Sequence, residues 1–433
     1  MTTQPNMEIK ELPLRDLKPA SYNPRKKLKK GDKEYEKIKQ SLLKFGYVDP
    51  IIVNKDMTVI GGHQRLTVLK DLKYETAKCV IVDLSKEDEK ALNIALNKIT
   101  GQWDEELLAD LLLDLQESDF NLDLTGFEPP EIDDILSNVH DKNIDEDDSF
   151  DIDKALEADS FVQKGDIWLL GKHRLMCGDS TSEEDVAKLM DGNQANVCIT
   201  DPPYGCSYTG GTGMTIINDD LKGEEFYNFL FKALKNVYHH LADGGALYVF
   251  HSDAEKVNFY HATVDSGFHY STTCIWVKNA LVIGRMDYQM RHEPIIYAFK
   301  DTAKHKFYGD RKQTTIWEFN KPTKSKLHPT MKPLPLIAYP MKNSSQVNGI
   351  VLDLFGGSGS TLIAAEQLRR ICFVMELDSK YASAIIRRYL ALQDNSLDDV
   401  FVIRNGEKLL ANEVYDFVNQ DFSFEDEKLE ESL

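Results

Sequence analysis

One stretch constrains this chain more than any other. Ile350-Val-Leu-Asp-Leu-Phe355 is an apolar run that leads without a spacer into Gly356-Gly-Ser-Gly359, and a helix-forming run begins at Ser360. Glycines at such a turn let the backbone reverse tightly and let a ligand approach the main chain. Glu376 closes the next apolar run, roughly twenty residues on, where nucleotide-binding α/β folds place an acid that accepts hydrogen bonds from ribose hydroxyls. The turn lacks the Gly-Lys-Ser/Thr ending of a P-loop and departs from Gly-x-Gly-x-x-Gly. It therefore predicts a nucleoside site without fixing the ligand.

The pattern around the turn repeats. Strands are predicted at 197–200, 246–250, 273–277, 294–299, 350–354 and 372–376, and helices at 224–241, 253–266, 360–369 and 380–392. Such alternation implies an α/β domain with a doubly wound parallel sheet, here over 161–404. Residues 7–116 read as a smaller α/β domain with trailing helices. Ile51–Val53 and Val80–Val82 supply its short apolar runs, Ser85-Lys-Glu-Asp88 resembles a capping box, and Leu107, Leu108, Leu111, Leu112 and Leu115 share a helix face. Residues 117–160 read as an acidic linker with some helix around 130–139, with sixteen acids against two lysines between Glu117 and Asp159. Residues 405–433 read as a peripheral acidic tail.

Other classes drop out. The six cysteines are scattered without a Cys-x-x-Cys pair, so no disulfide framework and no metal is expected. No apolar run is long enough to cross a bilayer, and the first residues lack the layout of a signal peptide. A cytoplasmic protein with no membrane partner is the expectation.

A second motif names the chemistry. Asn196-Val-Cys-Ile-Thr200 is an apolar strand ending in Asp201-Pro202-Pro203-Tyr204. The prolines fix the backbone and leave its carbonyls free to accept. A carboxylate, a rigid free carbonyl and an aromatic ring thus sit together where open α/β sheets bind ligands. An exocyclic amine on a nucleobase needs such a set. Its lone pair is delocalised into the ring, and two acceptors, the Asp201 side chain and the Pro202 carbonyl, favour a pyramidal nitrogen whose lone pair can attack. Tyr204 would stack on the base once it has left the helix. Catalysis by positioning and electrostatics requires no metal.

These residues resemble the amino-group DNA methyltransferases of the N6-adenine/N4-cytosine type, over roughly 165–392. Asp-Pro-Pro-Tyr preceding the glycine turn is similar to the order in the family's permuted β group. Cys177-Gly-Asp-Ser180, Trp276-Val-Lys278, His292-Glu-Pro294 and His328-Pro-Thr-Met-Lys-Pro333 match its other segments. The resemblance implies a Rossmann-like S-adenosylmethionine-dependent methyltransferase fold. It implies that donor contacts come from Asp353, Phe355, Gly356, Gly357, Gly359, Ser360 and Thr361, that Glu376 holds the ribose, and that Asp179 and Lys332 lie near the donor pocket. Asp201, Pro202, Pro203 and Tyr204 become the catalytic residues. Double-stranded DNA becomes the partner, in a bacterial or phage-encoded setting compatible with a homodimer and with a restriction endonuclease partner. In the family, Asp at the first motif position goes mostly with adenine N6, and Ser with cytosine N4. Asp201 therefore favours adenine, with an N4-cytosine enzyme as the alternative.

Taken as a total, the formal net charge of -20 opposes DNA binding, but it is unevenly placed. The acids of 117–159 and 407–433 account for it. From Lys278 to Lys332 there are twelve Lys/Arg against five acids, with Tyr288, Phe307, Tyr308 and Trp317 interleaved. This matches the family's target-recognition region, about 279–327. Lys278, Arg285, Arg291, Lys304, Lys306, Arg311, Lys312, Lys324 and Lys326 are its candidate phosphate contacts. The loop 205–220 is a candidate lid over a flipped base.

Val59-Ile-Gly-Gly-His-Gln-Arg65 precedes another helical pattern, and a glycine turn before a helix binds phosphate readily. With Ala20-Ser-Tyr-Asn-Pro24, Phe45-Gly46 and Pro50-Ile51, this region resembles the N-terminal domain of ParB-like proteins. The family's Gly-Glu-Arg-Arg core reads Gly62-His-Gln-Arg65 here. The missing glutamate and arginine favour an accessory DNA- or partner-binding role over nucleotide hydrolysis. An alternative of another class is a ParB-like DNA-binding regulatory protein with an inert methylase half.

Overall fold

The computed structural model describes residues 8–98, 103–118, 120–127, 129–140, 150–206, 217–282, 287–320, 331–393 and 395–417. It divides into two units, Met1–Val139 and His140–Leu433.

The first unit contains β1 (Glu8–Pro13), β2 (Lys18–Pro19), α1 (Lys33–Phe45), β3 (Ile51–Asn54), β4 (Thr58–Gly61), α2 (His63–Asp71), β5 (Thr76–Val82), α3 (Lys86–Asn97), α4 (Glu105–Glu117) and α5 (Pro129–His140). Its sheet runs β1-β5-β3-β4-β2. Ile51, Val53, Val59, Leu66, Leu69 and Cys79 pack its core, as the alternating apolar runs imply. Ser85 caps α3 by accepting the Asp88 N–H, and Asp104 caps α4 through the Leu107 N–H. Leu108, Leu111, Leu112 and Leu115 are buried, whereas Leu107 is at the edge and exposed. Within the acidic segment, α5 spans the residues around 130–139 where helix is expected. Ile132 and Leu136 of α5 are buried despite the acids around them.

The second unit contains α6 (Ile152–Glu157), β6 (Ile167–Leu170), β7 (His173–Cys177), α7 (Glu183–Met190), β8 (Ala195–Thr200), α8 (Gly223–His240), β9 (Leu241–Phe250), α9 (Lys256–Asp265), β10 (His269–Val282), β11 (Met290–Phe299), β12 (Ile316–Glu318), α10 (Leu334–Ser344), β13 (Ile350–Asp353), α11 (Ser360–Gln367), β14 (Ile371–Glu376), α12 (Ser379–Leu392), β15 (Val400–Arg404), β16 (Glu407–Leu410) and α13 (Ala411–Val414). One sheet of eleven strands runs β12-β10-β11-β9-β8-β13-β14-β7-β6-β15-β16. Its centre, β9-β8-β13-β14-β7, is parallel, and the pairs flanking that centre are antiparallel. α10, α11 and α12 cover one face, and α7, α8 and α9 cover the other. This is the doubly wound α/β architecture that the sequence pattern implies.

The tail differs from its expectation. Through Phe417 it belongs to the domain, because β16 pairs antiparallel with β15 and Phe417 is buried against Trp168 and Phe161. Arg387 of α12 is buried and joins the two flanking segments. It donates to the Ala155 and Asp159 carbonyls and to the Tyr415 hydroxyl, with its guanidinium over the Phe161 ring. All six cysteines are free, and no helix among the described residues is long and apolar enough to cross a membrane.

Candidate active site

The parallel strands β9, β8, β13 and β14 end side by side, so Phe250, Thr200, Asp353 and Glu376 mark one end of the sheet. Asp-Pro-Pro-Tyr leaves β8 there, beside the glycine turn that leaves β13. A hydrogen bond ties the two motifs: the Thr200 hydroxyl donates to Asp353 Oδ1 at 2.8 Å.

On the β13 side the partners are neutral donors. Asp353, 3% exposed, also accepts the Phe355 N–H (3.0 Å) and the Thr361 hydroxyl (2.7 Å). Glu376 accepts the Gly357 N–H at 2.7 Å and the Asp378 N–H at 2.8 Å. Burial pushes both carboxyls up, each to about 7, against these bonds. The turn itself requires glycine. A side chain at Gly356 would meet Val374 at 2.7 Å, and Gly359 caps α11 with φ 82°. At Gly357, with φ 50°, a side chain would enter open space instead. Ser360 donates to the Lys332 carbonyl (3.2 Å), and Arg388 holds the Ser358 carbonyl (2.9 Å), so the turn is fixed from two sides. Phe355 packs edge-on to Phe229. These features fit a nucleoside. The turn leaves room at Gly357, and each Glu376 oxygen keeps a lone pair for a ribose hydroxyl. Asp179 takes a local role, accepting the Thr181 N–H and hydroxyl at the entry to α7. The adjoining Gly178 N–H donates to the Glu376 carbonyl.

On the β8 side the partners are charged. Lys332 Nζ donates to Asp201 Oδ2 at 2.5 Å and lies 3.3 Å from Glu293 Oε2. Tyr204 donates its hydroxyl to Asp201 Oδ1 at 2.8 Å, with Glu293 Oε2 at 3.2 Å. Lys278 Nζ holds the other Glu293 oxygen at 2.5 Å. Lys332 also lies over the Phe250 and Tyr204 rings. Burial alone lowers the Lys332 ammonium, but Asp201 and Glu293 outweigh it and hold its pKa above the ordinary lysine value. Burial raises the Glu293 carboxyl, and Lys332 and Lys278 reverse that, bringing it down to about 2. Burial keeps Asp201 above the usual aspartate value, against the pull of Lys332.

Three expectations change here. Lys332 reaches Asp201 with its ammonium, and only its backbone touches the donor turn. Lys278 is buried and paired with Glu293, so it is not a surface cation for DNA. Trp317 is also buried, donating to the Thr314 carbonyl and packing on Tyr339. The remaining cations separate by strand register. β11 is antiparallel to β9, pairing Ile295 with Phe250 and Phe299 with Ala246. Arg291 and the exposed Tyr288 therefore lie at the catalytic end. Lys304 and Lys306 lie at the other end, where the Lys306 N–H donates to the Gly244 carbonyl, and the nearby Tyr308 N–H donates to Asn343 at the end of α10. Arg311 and Lys312 follow shortly after and are exposed. The eight residues from Glu293 to Lys300 span roughly 23 Å of extended chain. Arg285, Lys324, Lys326, His328-Pro-Thr330 and 207–216 of the lid candidate lie outside the described residues.

Sequence reading gave Glu293 and Thr200 no role. Glu293 was visible only as the middle of His292-Glu-Pro294, and Thr200 only as the last residue of a strand.

In the first unit Gly62, with φ 92°, caps α2. His63 Nε2 accepts the Ala20 N–H at 3.3 Å, and Arg65 donates to the Asp49 carbonyl at 2.7 Å while pairing with its carboxylate.

Comparison with known proteins agrees with this geometry. A family model described as DNA methylase matches residues 195–387, one for the ParB N-terminal domain matches 1–98, and one for the ParB-methyltransferase HTH domain matches 106–164. The type II methyltransferase M.HpaI of Haemophilus parainfluenzae is 25% identical over 252 residues, covering 52% of this chain and 77% of that protein. The putative methylase YubD of Escherichia coli (strain K12) is 29% identical over 208 residues, covering 47% and 85%. Among solved structures, the M1.HpyAVI–SAM complex aligns with a TM-score of 0.39 and 23% identity, covering 49% of this chain and 98% of that one. With a strand-end Asp-Pro-Pro-Tyr joined by a hydrogen bond to a nucleoside-type glycine turn, residues 195–387 match the S-adenosylmethionine-dependent DNA methylases of the N6-adenine/N4-cytosine type, and residues 1–98 match the ParB N-terminal domain.

Proposed function

We propose that this protein methylates the exocyclic N6 of adenine at specific sites in double-stranded DNA, in the cytoplasm. The observation that carries this reading is the placement of Asp201 one residue after Thr200, whose hydroxyl is bonded to Asp353 of the donor turn. S-adenosylmethionine, when bound, supplies an electrophilic methyl group. Asp353, Phe355, Gly356, Gly357, Gly359, Ser360, Thr361 and Glu376 form the cradle that would hold it. Asp201 and the Pro202 carbonyl accept the two amine hydrogens and so localise the lone pair on nitrogen. With the donor bound, the sulfur–methyl bond would break as the nitrogen–methyl bond forms, the neutral thioether would leave, and the proton lost by the nitrogen would pass to Asp201. Pro203 fixes the turn, and the Tyr204 ring supports the base. Arg291 and Tyr288 are the described residues best placed to meet DNA beside that base.

Expression in a host without DNA methylation, followed by sequencing that detects modified bases, tests this reading. N6-methyladenine in one sequence context is the expected result. N4-methylcytosine would move the assignment to cytosine, and unmodified DNA from a folded protein that binds the donor would remove it.

A further inference from the structure

The four charges around Asp201 form a closed set. Two carboxylates, Asp201 and Glu293, face two ammonium groups, Lys332 and Lys278, in a largely buried space. They come from the turn after β8, from β11, from the segment before α10 and from β10. Tyr204 links the two carboxylates, the His292–Asp253 pair lies alongside, and Asp353 is the nearest acid on β13. In this arrangement Asp201 is engaged at both oxygens, Oδ1 by Tyr204 and Oδ2 by Lys332. An ammonium on Oδ2 neutralises the acceptor that a nucleobase amine requires.

We propose that Glu293 is a positioning residue that gives the Lys332 ammonium a second seat, so that Asp201 Oδ2 is released when the target amine arrives. The distances suit an exchange. Lys332 Nζ is already 3.3 Å from Glu293 Oε2 and needs to close by only a fraction of an ångström to form a full pair there. Lys278 fixes the Glu293 carboxylate from its far side and lies over the Trp276 ring, so the seat does not follow the ammonium. The exchange keeps two positive and two negative charges in the space throughout, and no charge is left buried without a partner. Glu293 touches neither reacting atom. It acts through Lys332 and through the Tyr204 hydroxyl. This rests on the reading of Asp201 as the amine acceptor.

Two measurements on the full-length chain test it. The first follows the Lys332 side chain by NMR of lysine-labelled protein, assigned with Lys332→Arg. Its ammonium should titrate lower in Glu293→Gln than in the parent, because one of its two carboxylates is gone. The second is methyl transfer to unmethylated plasmid DNA. Glu293→Gln should lose about 10²-fold in kcat, as expected when a positioning contact is removed, and should shift the pH–rate profile. Donor binding should stay within about two-fold of the parent. Glu293→Asp should recover part of the rate. An unchanged Lys332 titration overturns the proposal, as does a parental kcat in Glu293→Gln. A parallel loss of donor binding and melting temperature would make Glu293 merely structural, which also overturns it. If the parent itself transfers no methyl group to DNA, the underlying reading fails, and the lysine titration still decides whether Glu293 shares the ammonium.

Discussion

Two carboxylate sites stand at adjacent strand ends and are solved in opposite ways. Asp353 and Glu376 are buried among backbone N–H groups and hydroxyls, and each is pushed up to about 7. Asp201 and Glu293 are buried beside ammonium groups, and Glu293 is drawn down to about 2. The β8 side thus carries its own counter-charge. The β13 side accumulates carboxylates answered only by neutral donors, which suits a ligand that brings hydroxyls and positive charge. The difference separates a pocket that rearranges charge from one that waits to have charge supplied.

Asp201→Ala should display that separation most visibly. Methyl transfer should fall by at least about 10³-fold while donor affinity changes little, measured by plasmid methylation and calorimetry. Equal loss of both would merge the two sites into one. Glu376→Ala should do the reverse, weakening donor binding by about 10- to 100-fold through loss of hydrogen bonds to a charged acceptor. The next effect is pH. Asp353 and Glu376 are raised in the folded chain, so they take up protons below about 7. Donor affinity should therefore rise several-fold from about pH 6 to about pH 8. For the same reason these two acids lower the stability of the ligand-free chain as pH rises from about 4 through about 7, and bound donor should offset that loss, visible in thermal melts. The smallest effect concerns the cations. Arg291→Ala should weaken DNA binding and reduce its salt slope by about one, whereas Lys304→Ala with Lys306→Ala should leave both near parental values. A large effect from the second pair would mean that DNA reaches around to the far end of the sheet.

The fold was legible because its signals are local. Strand 350–353, the turn at Gly356–Gly359 and helix 360–367 are each specified by neighbours in sequence, and Ser85 announces α3 by its own side chain. The β6–β7 hairpin and α10 were not anticipated. The first consists of short strands around Gly171, and the second carries Pro340 inside it, so neither shows a clear period. The site was legible in its motifs and opaque in its pairings. Nothing local says that Lys332 meets Asp201 across 131 residues, because the order of strands in the sheet makes that contact. The same holds for charge. Lys278, Arg291 and Lys304 look alike in a count of cations, yet the pairing of β10 with β11 buries one against Glu293, while the register of β11 against β9 presents one beside the catalytic motif and sends one to the opposite end.

Arg387 carries a consequence for engineering. By gripping Ala155, Asp159 and Tyr415 at once, it holds the first and last described segments of the catalytic unit at one place on α12. A domain whose ends meet is portable. It can be inserted into another protein's surface loop, or joined head to tail and reopened elsewhere, while the neighbouring strands keep Thr200 against Asp353. Joining residue 417 to residue 150 and opening new ends at the exposed Asp191-Gly192 turn tests this: the rewired chain is expected to keep donor binding, measured by calorimetry.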